Sequence, residues 1–244
     1  MSTGIEQFVP DGKAKGCLPR SSRVGAVCPL FGERIKVIPE GEWKDYEGKI
    51  TLEPYIPTIL DQDGIGSCAT ESTTGGTMLV RAFAGLEFVL LNPWFIYHHT
   101  SGGRDQGSAI DDNLTFAREK GIASEMVWPR AKGYEATPSA EAYADALNYR
   151  IDEFYDIMTI QELVSALLLG FPVVYGSNGH SVLKVKHAGS TGLDLNSWGK
   201  GWGQGGLGVW AAYNQVNFQY GAFAIRTTTQ IVSPDGTVSL AQGA

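Results

Sequence analysis

A cysteine that closes a glycine-rich loop is the first candidate for chemistry in this sequence. The stretch 61–68 is Asp-Gln-Asp-Gly-Ile-Gly-Ser-Cys, and the residues from Cys68 to about Leu86 predict a helix. The unsatisfied amides and the dipole at a helix start favour the thiolate, which is the reactive form of cysteine. Gln62 lies six positions before Cys68, and its side-chain amide could donate to the same reaction centre. A lone buried cysteine is more often an inert small hydrophobe, so catalysis needs further support.

That support comes from a second cluster more than a hundred residues later. A nucleophilic cysteine needs a base, and the base needs an orienting partner. His180 supplies an imidazole, and sixteen positions later Asn196 begins the run Asn-Ser-Trp-Gly-Lys-Gly-Trp-Gly. His187 is the competing base, but it would lie near the far end of the same predicted strand, out of reach. The order Cys68, His180, Asn196 therefore predicts nucleophilic catalysis.

These segments carry a resemblance to a known family. Gln62 followed by Gly66-Ser67-Cys68 resembles the nucleophile loop of the papain-like (C1-type) cysteine peptidases. Residues 196–203 resemble the Asn-Ser-Trp-Gly and Gly-Trp-Gly segment of the same family. Several matched segments in the right order and spacing are far more specific than one motif. The resemblance extends over about residues 52–226, and in style it is closest to bacterial and phage members that lack a signal, a pro-segment and disulfides.

The resemblance implies a role for each matched residue. Cys68, as a thiolate ion-paired with His180 at rest, would attack a peptide or amide carbonyl, and His180 would protonate the leaving amine. Asn196 would orient the imidazole, while Gln62 and the backbone amide of Cys68 would form an oxyanion hole. Substrate contacts are expected from Gly66, Ser67, Gly107, Ser108, Asn178, Ser181 and Trp198.

One expected binding segment also fits a purely structural role, and another is shorter than in the resembled family. In the resembled family a glycine-rich segment at Gly107 and Ser108 pairs its backbone with the extended substrate, because glycine leaves room for a close approach. The residues alone fit a surface turn equally well. Only residues 176–179 separate the preceding strand from His180. Members of the resembled family usually carry a longer loop here that shapes the substrate pocket, so the short connection predicts a more open cleft and weaker side-chain selectivity on that side.

Three positions near the nucleophile differ from the resembled family. Ala69 replaces a usual tryptophan, and Glu71 lies in a turn that is usually apolar. A carboxylate suits the first turn of a helix, but close to Cys68 it would oppose the thiolate. Ile65 stands where secreted relatives carry a half-cystine. With that bridge missing, Cys17 and Cys28 are expected to be free thiols in a reducing compartment.

Composition narrows the remaining function classes. The net charge of −7 argues against a surface for nucleic acid or anionic membrane. No apolar run approaches the roughly 18 residues of a membrane span, and the first seven residues lack the character of a secretory signal. We therefore expect a cytoplasmic protein, or one in a host cytoplasm or virion if it is viral.

Adjacent His98 and His99 cannot face one ligand, so we predict no metal and no cofactor.

A helical first half is followed by short apolar runs between glycine turns, with candidate strands over 149–154, 180–186 and 222–229. This pattern predicts an α+β protein whose second half is an antiparallel, barrel-like sheet, with a cleft between the halves. The resemblance implies that this is the papain-like fold and that the active site lies in that cleft. The expected divisions are an N-terminal extension (1–51), a helical half with the nucleophile (52–147), a β half with His180 and Asn196 (148–228) and a C-terminal hairpin (229–244). The extension has no long helical periodicity and is expected to wrap the body, with 35–38 as a candidate strand. A role for it in blocking the cleft stays open, although nothing in the residues supports one.

The functional expectation is a cysteine endopeptidase acting on a peptide or protein substrate. Two alternatives stay open. The first is a papain-like scaffold with a structural role, docked through its extensions into a larger assembly such as a phage virion, which Ala69 and Glu71 favour. The second is hydrolysis of another amide, such as the peptide stem of a bacterial cell wall.

Overall fold

The computed structural model describes residues 9–226 and 230–240 of this 244-residue chain. Helices dominate the first half and strands the second. The α-helices are α1 (Phe31–Arg34), α2 (Trp43–Tyr46), α3 (Cys68–Phe83), α4 (Pro93–Thr100), α5 (Ile110–Glu119), α6 (Ala140–Ala146) and α7 (Ile160–Leu168). Short 3-10 turns cover Glu40–Glu42, Glu53–Tyr55, Arg130–Lys132 and Tyr213–Gln215.

The strands form one large sheet and two small pairs. They are β1 (Cys17–Leu18), β2 (Ser108–Ala109), β3 (Glu153–Asp156), β4 (Val173–Ser177), β5 (His180–Lys186), β6 (Leu193–Leu195), β7 (Leu207–Gly208), β8 (Ala222–Arg226), β9 (Gln230–Val232) and β10 (Val238–Leu240). The six-stranded sheet has the order β3-β8-β4-β5-β6-β7, and its strand pairs are antiparallel. The expected α+β architecture is confirmed, as an open antiparallel sheet.

Helix α3 is the central element that carries the nucleophile, and nearly all of it is buried. Small residues allow the helix to lie this deep in the protein. A Cβ on Gly76 would lie 2.6 Å from Ile225 Cδ1 and 3.3 Å from Leu183 Cδ1. The helix can therefore approach β5 and β8 closely. It ends three residues before the predicted end near Leu86, because Gly85 takes a positive φ of 71° and turns the chain.

Local signals at the ends of the other helices agree with the structure. Asn92 caps α4 by accepting a hydrogen bond from the amide of Trp94 at 2.9 Å, ahead of Pro93 at the first helical position. Ser139 caps α6, and Thr159 forms a capping box with Glu162 at the start of α7. These starts follow from the sequence because each depends on residues only a few positions apart.

A two-residue turn fixes the strand that begins with His180. Asn178 and Gly179 have φ values of 51° and 72°, and Ser177 pairs with His180 across the turn. Positive φ at both central positions is the geometry that an Asn-Gly hairpin favours. The expected strand over 180–186 is observed at β5. The predicted strand over 149–154 begins later, at Glu153, and the expected strand over 222–229 is described to Arg226, since 227–229 lie outside the described residues.

The N-terminal extension is part of the core. Phe31, Ile35 and Ile38 are buried in one hydrophobic cluster with residues of α7 and the sheet. The expectation of a strand over 35–38 is wrong, since α1 ends at Arg34 and the chain then continues without a strand partner in the described structure. Instead, the amide of Ile38 donates to Ser165 Oγ at 2.9 Å. The backbone amide of Ile38 is therefore satisfied by a side chain of a helix and not by a neighbouring strand.

The C-terminal hairpin predicted around 232–238 is observed as the β9–β10 pair. Its turn contacts the extension, because the amide of Lys36 donates to the carbonyl of Gly236 at 2.6 Å. Cys17, Cys28 and Cys68 are free and buried. Among the described residues, no helix combines the length and apolar character needed to cross a bilayer.

Candidate active site

Cys68 is the first residue of α3 and is fully buried. The carbonyl of Ser67 begins the helix by accepting from the amides of Thr70 and Glu71 at 3.0 and 2.9 Å. The Cys68 thiol lies beside the backbone amide of Ser181, which follows His180 directly. The fold therefore places the sulfur, which the helical half carries, next to the first residues of β5 in the sheet half.

The imidazole and the carboxamide are in direct contact. His180 Nε2 and Asn196 Oδ1 are 2.8 Å apart, and the indole of Trp198 stacks on the His180 ring with centroids 4.3 Å apart. Trp198 is 2% exposed, so it excludes water from the His180–Asn196 hydrogen bond and strengthens it. Within the described residues, His180 Nδ1 has no hydrogen-bond partner, which leaves that nitrogen free to exchange a proton.

Gln62 is held from several sides with its amide directed at the cleft. Its carboxamide oxygen accepts from Ser197 Oγ at 2.7 Å, and its backbone amide donates to the carbonyl of Ser197 at 2.8 Å. These bonds fix which end of the side chain carries the donor. Gln62 Nε2 then donates to the carbonyls of Ile65 at 2.7 Å and Ala14 at 3.1 Å.

The partner Ala14 belongs to the N-terminal extension, which occupies the cleft. The amide of Gly16 donates to Cys68 Sγ at 3.3 Å. The carbonyl of Gly16 accepts from Ser108 at 2.9 Å, and the amide of Cys17 donates to the carbonyl of Gly179 at 3.0 Å. We call residues 13–18 the cleft segment. The structure thus supplies the support for a blocking position that the sequence alone lacked.

The cleft segment meets Cys68 and Gln62 through different peptide groups. The amide of Gly16 donates to Cys68 Sγ, whereas the carbonyl that accepts from Gln62 Nε2 belongs to Ala14. The approach depends on glycine at two positions. A Cβ on Gly16 would lie 1.8 Å from the carbonyl oxygen of Gly66, and a Cβ on Gly107 would lie 2.4 Å from the carbonyl oxygen of Gly16. The segment therefore fills the cleft in close backbone contact with its walls.

Burial in this structure shifts both reactive groups toward their neutral forms. Desolvation raises the pKa of the Cys68 thiol to about 11, against the opposing effect of nearby backbone amides. Desolvation also lowers the pKa of His180 to about 3, although the Asn196 hydrogen bond acts in the other direction. The thiolate–imidazolium pair expected at rest is therefore disfavoured in this structure.

The expected substrate-contacting residues fall into two groups. Gly66, Gly107 and Ser108 lie against the backbone of Gly16 in the chain's own cleft segment, and their contact with a substrate stays a prediction. The other hydroxyls are engaged inside the protein. Ser67 Oγ donates to Glu71 at 3.2 Å, and Ser181 Oγ is 2.7 Å from Ser72 Oγ. Asn178 lies exposed at the β4–β5 turn, and Trp198 covers His180.

Sequence reasoning missed the partner of Glu71. Its buried carboxylate forms an ion pair with Arg130, and desolvation still raises the pKa of Glu71 to about 7. The guanidinium of Arg130 also donates to the carbonyl of Asp61, next to Gln62. A carboxylate in a predicted buried turn signals that a cation must lie nearby, but the sequence does not say which one.

The remaining histidines are engaged elsewhere. His187 Nδ1 is 2.7 Å from the hydroxyl of Tyr213, beyond the far end of β5 from His180. His98 Nδ1 is 2.9 Å from the carbonyl of Tyr134, and His99 stacks on the ring of Phe116. These contacts account for their positions by local packing.

Comparisons with known proteins find similar structures but no matching sequence family. No protein-family model matches the chain, and no curated protein sequence matches it. Similar solved structures include xylellain, a cysteine protease from Xylella fastidiosa, with a TM-score of 0.63, 19% identity, and coverage of 91% of this chain and 100% of that one. Digestive procathepsin L 3 of Tenebrio molitor has a TM-score of 0.56 and 18% identity, covering 88% of this chain and 75% of that one.

A cysteine protease of Carica candamarcensis in complex with E-64 has a TM-score of 0.55 and 16% identity, covering 76% of this chain and 96% of that one. The likeness to these proteases extends over most of the chain at low identity. Together with the helical half, the antiparallel sheet and the cleft between them, it shows that the chain has the papain-like α+β fold.

Proposed function

We propose that this protein is a cysteine endopeptidase in which Cys68 is the nucleophile and His180 the base, with Asn196 orienting the imidazole. One observation carries the proposal. Gln62 Nε2 donates to a peptide carbonyl in the cleft while Cys68 Sγ contacts an amide two residues further along the same peptide. A cleft that binds a peptide backbone beside a cysteine and an oriented histidine has the parts that amide hydrolysis requires.

The chemistry begins once the cleft segment has left. Water then reaches the site, so the desolvation that holds Cys68 and His180 neutral is relieved. The thiolate attacks the carbonyl carbon, and the oxygen takes the electron pair as an oxyanion facing Gln62 Nε2 and the amide of Cys68. Collapse of this intermediate expels the amine, which takes its proton from His180 and leaves a thioester.

The second half of the reaction returns the enzyme to its starting state. Neutral His180 removes a proton from water, and the hydroxide attacks the thioester carbonyl. The carboxylic acid leaves, and Cys68 regains its thiolate beside the protonated imidazole. Asn196 Oδ1, 2.8 Å from Nε2, keeps Nδ1 available for both transfers.

A structural role is the second candidate, because the cleft in this structure is filled by residues of the chain itself. In that case the papain-like framework would dock into an assembly and Cys68 would stay unreactive. Reactivity of the thiol separates the two candidates. An enzyme exposes the sulfur at least transiently, whereas a permanent scaffold does not need to.

The test uses the full-length chain with a mixed peptide library and with purified bacterial cell-wall fragments as substrates. Cleavage of internal peptide bonds, lost in Cys68→Ala and in His180→Ala but kept in His187→Ala, is the expected result. His187→Ala is the matched control because it removes an imidazole from the other end of β5. Cleavage of wall fragments alone would replace the proposed substrate class. No cleavage of either, together with labelling of Cys68 by a peptidyl epoxide no faster than free cysteine, would favour the scaffold.

A further inference from the structure

The buried ion pair behind the nucleophile loop has a geometry that links the two sides of the proposed oxyanion site. Glu71 lies in the first turn of α3, three positions after Cys68, and its side chain is fully buried. Its carboxylate accepts from Arg130 and from Ser67 Oγ, the latter at 3.2 Å. Glu71 also lines a small cavity next to Asn196. The carboxylate is therefore fixed to the helix whose first amide belongs to Cys68.

Arg130 extends this link to the other side. One terminal nitrogen of its guanidinium donates to Glu71, and the other donates to the carbonyl of Asp61. Asp61 immediately precedes Gln62, whose side-chain amide points into the cleft. The guanidinium lies 4.8 Å from the centroid of the Trp94 ring, which holds its plane. Two acceptors from different segments are thus joined by one rigid, planar side chain.

The pair is not explained by stability alone. A buried ion pair carries a desolvation cost that an apolar side chain of similar size avoids. A carboxylate close to Cys68 also disfavours the thiolate. The first effect opposes stability and the second opposes activity, so what the pair provides must be geometric. The distance between the amide of Cys68 and Nε2 of Gln62 determines how well an oxyanion is bound, and about an ångström of error is costly there.

We propose that Arg130, acting through Glu71 and the carbonyl of Asp61, is a positioning residue that sets the separation of the two oxyanion donors. The inference rests on the proposed peptidase function. Arg130 touches no substrate in this scheme and works by holding Gln62 in register with the start of α3. Lysine cannot replace it, because a single ammonium cannot reach both acceptors in a fixed plane.

The test compares Arg130→Lys with Arg118→Lys in the full-length chain. Arg118 is a matched control: it donates to the carbonyl of Val27 at 2.8 Å, lies 3.5 Å from the Glu119 carboxylate, and stacks 5.0 Å from the Phe154 ring. We expect kcat for peptide hydrolysis to fall about 10- to 100-fold in Arg130→Lys with KM changed less than about threefold. Arg118→Lys should keep both constants within about twofold of the parent.

A second readout does not depend on activity. Amide hydrogen exchange of Gln62 and Ile65, whose amides bond to the carbonyls of Ser197 and Gln62, should be at least about fivefold faster in Arg130→Lys alone. Unchanged exchange, or faster exchange with an unchanged kcat, would overturn the inference. An inactive parent chain with faster exchange in Arg130→Lys would instead remove the peptidase proposal and retain the structural link.

Discussion

Replacing Gly16 with alanine should open the cleft. The new Cβ would lie 1.8 Å from the carbonyl oxygen and 2.4 Å from the carbonyl carbon of Gly66. Gly66 cannot move away easily, because its own amide donates to Asp105 at 2.8 Å and it precedes the Ser67–Cys68 helix start. The cleft segment must therefore shift, and it loses the bonds that Gly16 makes.

The magnitude follows from two hydrogen bonds. The amide of Gly16 donates to Cys68 Sγ at 3.3 Å and its carbonyl accepts from Ser108 at 2.9 Å. At about 1 kcal/mol net each, their loss weakens the closed state by about 2 kcal/mol. This corresponds to a rise of about 30-fold in the open fraction as long as the closed state still dominates.

The assay is the second-order rate of Cys68 alkylation by iodoacetamide, followed by mass spectrometry of the peptide that contains Cys68. We expect Gly16→Ala to react about 10- to 30-fold faster than the parent chain. Gly41→Ala is the matched control, since it lies in the same extension and a Cβ there meets no atom within 4 Å. Equal rates in the parent and Gly16→Ala, with both folded by thermal melting, would refute the account of the closed cleft.

Three further outcomes test the site and the fold. Gln62→Ala should lower kcat for peptide hydrolysis by about 10²-fold with little change in KM, measured by steady-state kinetics, and an unchanged kcat would remove its oxyanion role. Since burial lowers the pKa of His180 from 6.5 to about 3, its stabilising contribution is present above pH 6.5 and is lost as the pH falls toward 3. Urea unfolding at pH 4 to 7 should show this loss. In His180→Gln the slope of the unfolding free energy against pH should be smaller by the equivalent of about one proton. Gly76→Ala should lower the free energy of unfolding by about 1–3 kcal/mol relative to Gly75→Ala, because a Cβ on Gly75 meets no atom within 4 Å; equal values would contradict the close approach of α3 to the sheet.

Features that depend on neighbouring residues could be predicted from the sequence. The Asn178–Gly179 turn needs positive φ at both positions, which those residue types allow, so the start of β5 at His180 follows directly. The Asn92–Pro93 pair likewise gives the start of α4. The small residues of α3 indicate a buried helix before any contact is known.

Features that depend on which distant segments meet could not be predicted in this way. The cleft segment is too short and irregular to show periodicity, and its position depends on the backbone of Gly66 and Ser108. The choice of Arg130 as the partner of Glu71 is a tertiary contact of the same kind. A sequence shows that a buried carboxylate needs a cation, but several arginines could satisfy it.

The central claim is that a peptide carbonyl can be bound between Gln62 and the start of α3 and attacked there by Cys68. The most direct measurement is a crystal structure of Gly16→Ala soaked with a peptide aldehyde. We predict a thiohemiacetal on Cys68 with its oxygen about 2.7–3.1 Å from Gln62 Nε2 and with the cleft segment displaced. An adduct on Cys17, or an adduct on Cys68 whose oxygen points away from Gln62, would contradict the account.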